Sequence, residues 1–122
     1  RLVILSNVDR EGFAASNTLL GVEFDTVYTA EDIGSYKPDP FNFEYLIEHV
    51  ESDLGYGKSD ILHTAQGIRH DQIPARAIGL ANAWIDRTRL SETGMAGLPA
   101  TDHLFFSMAE MAAAVKTEVA SR

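Results

Sequence analysis

The sequence predicts an α/β fold, with a largely parallel sheet and helices on both sides. Three observations point there. Short apolar or β-branched runs, at residues 2–5, 26–29, 60–65 and 80–85, alternate with stretches of helical character. The run Leu2-Val3-Ile4-Leu5 is continuously apolar, as in a strand buried on both faces of a parallel sheet. A chain of 122 residues has the size of one domain with a real core, spanning residues 1–122. The element order read from the pattern is β-α-β-α-β-α-β-β-α, with right-handed crossovers.

Each element follows from local chemistry. After the first strand, residues 10–20 read as a helix stopped by Gly21, and Thr26 to Thr29 as the second strand. Residues 30–35 read as a loop. In Gly34-Ser35-Tyr36-Lys37-Pro38-Asp39-Pro40 two prolines restrict the backbone around Asp39, and Pro38 biases Lys37 toward an extended conformation. Asp39 is placed to cap a helix with Pro40 at its first position. Phe43, Leu46, Ile47 and Val50 then form an apolar stripe opposite Glu44, Glu48 and Glu51, which predicts a helix over 40–52. Residues 60–65 read as the third strand, and residues 66–71 as a loop feeding a short helix that Pro74 enters in its first turn and Gly79 ends. Residues 80–85 are the fourth strand, residues 86–101 a polar connection and residues 104–106 a brief last strand. Ser107 and Glu110 match a capping box, so Ser107 should start a final helix with Met108, Met111, Ala112, Val115 and Val119 on one face.

Bulk properties exclude several classes. The composition, 45% hydrophobic and 23% charged, is that of an ordinary globular chain. No apolar run reaches the roughly 18 residues of a membrane span. A formal charge of −8 with scattered bases argues against a nucleic-acid partner and leaves a small anionic substrate open. There is no cysteine, so disulfides, thiolate metal sites and cysteine nucleophiles are excluded, and a cytoplasmic setting fits. The four histidines, His49, His63, His70 and His103, lack a metal-binding spacing and read as structural or surface residues, with no metal expected. Trp84 reads as core, and Asp86-Arg87 as a surface ion pair.

In an open parallel sheet, ligands bind beyond the carboxyl ends of the strands. The first strand brings Ser6 and Asn7 to that edge, the loop after the second brings Lys37, and the third brings Gln66 and then Asp71. Each has an ordinary alternative: a turn or helix cap for Ser6 and Asp71, solvent for Lys37. Together they make a candidate site of a hydroxyl, two amides, an ammonium and a carboxylate.

On these residues the sequence resembles the haloacid-dehalogenase superfamily of hydrolases. Ser6 with Asn7 after the first strand is similar to that family's second motif, Tyr36-Lys37-Pro38-Asp39-Pro40 to its lysine motif, and residues 63–71 to its acidic loop. The resemblance implies a Rossmann-like three-layer core and an aspartate that attacks the substrate, giving an ester or acyl phosphate that water then hydrolyses. It implies that Ser6, Asn7 and Gln66 contact substrate, that Lys37 compensates negative charge, and that Asp71 orients Lys37 or the water.

The sequence departs from the family in ways that carry their own expectations. No strand ending in the nucleophilic aspartate precedes Arg1, so the core lacks its first, central strand, between those ending at Ser6 and Ala65. The chain therefore reads as the C-terminal part of a longer hydrolase, inactive alone, whose sheet is completed by an upstream segment, a second chain or a homodimer. Gln66 stands where magnesium-dependent phosphatases carry an acid, which favours a metal-free 2-haloacid dehalogenase; magnesium would enter only with a phosphatase. Phe43 stands where those dehalogenases place a tyrosine. A binding or assembly module that has lost its chemistry is the alternative from another class.

Overall fold

A computed structural model describes residues 1–121, which form two compact units, residues 1–58 and Ser59 onward. In the first unit, β1 (Val3–Ser6) leads through α1 (Arg10–Leu20) to β2 (Thr26–Thr29), α2 (Ala30–Ile33) and α3 (Pro40–Leu54). β1 and β2 pair in parallel, Val3 opposite Thr26 and Ser6 opposite Thr29, so both strands end at the same edge. In the second unit, β3 (Leu62–Ala65), α4 (Ile73–Ala77), β4 (Ala81–Ile85), β5 (His103–Phe105) and α5 (Met108–Ala120) follow in order. Its sheet has the order β3-β4-β5, all parallel, with Ala65 opposite Trp84 and Ile85 opposite Phe105. The fold class is thus the expected mixed α/β with parallel strands.

The caps explain the helix limits. Asp9 accepts from the Gly12 amide at 2.6 Å to start α1, and the left-handed Gly21 ends it. Asp39 accepts from the Phe41 amide at 2.9 Å and Pro40 opens α3, as the lysine turn predicts. Phe43, Leu46 and Val50 are buried while Glu44, Glu48 and Glu51 are exposed, so the amphipathic stripe is real; Ile47 is half-buried.

Behind that helix, Tyr28 on β2 meets Tyr45 edge-on and donates its phenol O–H to Asp53 Oδ2 at 2.6 Å. Tyr45 in turn stacks on His49, with centroids 3.6 Å apart. Burial first, and then the bond to Asp53, push the Tyr28 phenol up to about 12. A raised acid favours the neutral form in the folded chain, so this stability is complete below pH ~10 and is lost as pH rises through about 12. Tyr28→Phe is expected to cost about 1 kcal/mol at neutral pH and to flatten that alkaline limb in pH-dependent urea unfolding.

Five expectations need correction. β1 is half-exposed along its whole length, not buried on both faces, because among the described residues it pairs with β2 alone. The presumed loop 30–35 contains α2, started by a reciprocal box in which Thr29 accepts from the Asp32 amide and Asp32 accepts from the Thr29 amide; Gly34, at φ 79°, stops it. The loop 66–71 runs into a π-helix, Ile68–Gln72, that continues as α4. Ser107 caps α5 as expected, but the Glu110 carboxylate bonds the Phe106 amide, so the box is shifted by one residue. Finally, α5 has no buried residue, and its Met108, Val115 and Val119 are exposed.

Candidate functional site

In the first unit the sequence-predicted residues Asn7 and Lys37 are in contact, thirty positions apart. Asn7 follows β1 directly. Its Oδ1 accepts from the Lys37 amide at 2.7 Å and its Nδ2 donates to the Lys37 carbonyl at 3.1 Å. The Lys37 ammonium donates to the Leu5 carbonyl at 3.2 Å, so it lies at the carboxyl end of β1, where parallel sheets hold ligands. Ser6 is half-buried there and its Oγ accepts from the Val8 amide at 3.3 Å.

The turn that presents the lysine is secured on both sides. Asp39 donates its amide to the Tyr36 carbonyl at 3.0 Å, closing the turn across the cis Lys37-Pro38 bond. On the α3 side the fully buried Asn42 donates from Nδ2 to the Ser35 carbonyl at 3.0 Å. Both amides act on main chain, which restricts the backbone from Ser35 to Asp39.

In the second unit Asp71 is not a helix cap. It sits inside the π-helix, buried, with Oδ1 2.9 Å from Nε2 of the buried His63. Its other oxygen would lie 3.0 Å from a Cβ at Gly67, which is tighter than ordinary contact, so the absence of a side chain there lets the carboxylate fold back. Gln66 is exposed, and its carbonyl accepts from Trp84 Nε1 at 3.1 Å. Trp84 is core, as expected.

Two polar residues of this unit were not singled out from the sequence: Gln72 and Asn82 are fully buried and hydrogen-bonded to each other. His63, read as structural or surface, is buried and holds Asp71. Asp86 is also buried, not a surface partner of Arg87. It accepts from the Leu90 and Ser91 amides at 2.9 Å each and from Ser91 Oγ at 2.6 Å. Burial alone raises its pKa, but these three bonds outweigh burial and hold the carboxyl below its ordinary range. Only the Ser91 spacing, five residues on, hinted at this in the sequence.

No protein-family profile matches the sequence, and no curated protein sequence matches it. Solved structures do. The HAD phosphatase from Thermococcus onnurineus superposes with a TM-score of 0.72 at 24% identity, over 94% of this chain and 50% of its own. The L-2-haloacid dehalogenase from Xanthobacter autotrophicus gives 0.72 at 20% identity, over 94% of this chain and 54% of its own. The 2-haloacid dehalogenase from Pseudomonas syringae pv. Tomato DC3000 gives 0.65 at 20% identity, over 95% of this chain and 46% of its own.

The fold is that of the haloacid-dehalogenase-like hydrolases. The chain spans about half the length of these structures. One is a phosphatase and two are dehalogenases. Magnesium, which the fold implies for the phosphatases, finds a poor donor set in the second unit: Gln66 is an amide, and one Asp71 oxygen is taken by His63. Among the described residues no three His, Asp or Glu side chains cluster as cation ligands.

Proposed function

We propose that this chain is the C-terminal part of a cytoplasmic haloacid-dehalogenase-like hydrolase, closest in chemistry to the 2-haloacid dehalogenases. The observation that carries the reading is the Lys37 ammonium tied to the Leu5 carbonyl, a fixed positive charge at the end of the strand that Ser6 closes. Such a charge stabilises an anionic transition state, because it is in place before charge develops.

In the complete enzyme an aspartate from an upstream strand attacks C2 of a 2-haloacid. A carbon–oxygen bond forms and the halide leaves with its electron pair. Water then adds to the ester carbonyl, releasing the 2-hydroxyacid and regenerating the aspartate. Lys37 compensates the negative charge of nucleophile and substrate, and Ser6 donates a hydrogen bond to the substrate carboxylate. The donor set described above supports the metal-free reaction. A second reading, phosphoester hydrolysis, is favoured by the phosphatase, which superposes as well as the dehalogenase does.

The test is to produce the chain joined to an upstream segment that supplies a strand ending in aspartate. Halide release from 2-haloacids without added metal is the expected result, and the 122 residues alone should be inactive and should self-associate in light scattering. Phosphate release that needs magnesium would establish the second reading. Turnover of neither substrate would sink both and leave a binding or assembly module.

A further inference from the structure

We infer that Asn7 is a positioning residue, a clamp that fixes the main chain of Lys37 and through it the ammonium. The inference rests on the catalytic reading of Lys37 given above.

The geometry is specific to an amide. Asn7 Oδ1 faces the Lys37 N–H at 2.7 Å while Nδ2 faces the Lys37 carbonyl at 3.1 Å. One orientation of the side chain satisfies both bonds; the flipped amide would set donor against donor and acceptor against acceptor. Aspartate keeps the acceptor but opposes a charged oxygen to the Lys37 carbonyl. Serine has one oxygen and cannot bridge both groups.

The clamp also ties together the two ends of the lysine. Its main chain is held by Asn7 and its ammonium by Leu5, two residues earlier on the same strand exit. A free lysine side chain spreads over many rotamers, and immobilising it costs conformational entropy. With the backbone origin fixed, less of that cost falls on the transition state. The clamp engages Oδ1 and one of the two Nδ2 hydrogens, so it takes one bond from each end of the amide.

The test has two arms. In the complete enzyme, Asn7→Ala should lower kcat about tenfold or more while KM changes by less than about threefold. In a Lys37→Ala background the same change should cost less than about twofold, since a residue that acts through Lys37 has nothing left to act on. A rise in KM with kcat retained, or losses that multiply, would show that Asn7 does not act through Lys37 and would overturn the clamp. The second arm needs no turnover. In the 122-residue chain, hydrogen exchange at the Lys37 amide should speed up by about tenfold in Asn7→Ala and by less in Asn7→Asp, which retains the acceptor. Unchanged exchange overturns the clamp. Faster exchange in a protein whose complete form shows no hydrolase activity supports the clamp and overturns the hydrolase reading.

Discussion

On the proposed reading, Lys37→Ala in the complete protein is expected to lower kcat by about 10²- to 10³-fold, the usual cost of removing one preorganised electrostatic group. Of the other Lys and Arg side chains in the first unit, Arg10 is already paired, with Asp32 at 2.6 Å. Lys37→Arg should recover little, because a planar guanidinium cannot reproduce the 3.2 Å bond of the ammonium to the Leu5 carbonyl without shifting the turn. Steady-state kinetics on both variants decide this. An alanine variant within about threefold of the parent enzyme would remove Lys37 from the mechanism.

The largest stability effect is expected at a residue with no proposed part in chemistry. Gln72 is fully buried and spans two strands: Nε2 donates to the Ala65 carbonyl at 2.9 Å and the Ala83 carbonyl at 3.0 Å, while Oε1 accepts from Asn82 Nδ2 at 2.8 Å. Asn82 carries the network on, accepting from the Asp102 amide at 3.1 Å. Gln72→Ala leaves a cavity and strips an amide and two carbonyls of a partner, a loss of about 3 kcal/mol. Gln72→Leu restores the volume and separates the two contributions; it should still cost about 1–3 kcal/mol. Urea unfolding with an unchanged slope measures both. A Gln72→Ala midpoint equal to that of the parent chain would mean that the network contributes nothing net.

The two predictions differ in how visible their residues are in the sequence. Lys37 is legible because prolines and Asp39 leave local marks, and the helix they open begins at Pro40 as the pattern requires. The limits of α1 and β2 are legible for the same reason, since Gly21 and the β-branched run 26–29 act locally. Gln72 is not legible. Polar side chains are read as surface by default, and its burial depends on a partner ten residues away, on β4. α2 escaped because four residues show no periodicity, although Thr29 and Asp32 carry the spacing of a capping box. The π-helix escaped because nothing local distinguishes it from a loop before Pro74. The exposed α5 shows the opposite limit: an apolar stripe states what a helix could cover, and says nothing of whether anything covers it.

The indole of Trp84, the sole tryptophan, lies 3% exposed in the second unit with its N–H on the Gln66 carbonyl. Its emission is therefore an optical gauge of that unit alone, blue while the indole stays dry and shifting red when the strand beneath it loosens. Far-ultraviolet dichroism, to which α1 and α3 contribute, sees the first unit as well. Denaturation curves recorded both ways on one sample thus show whether the halves of the molecule give way together or in turn.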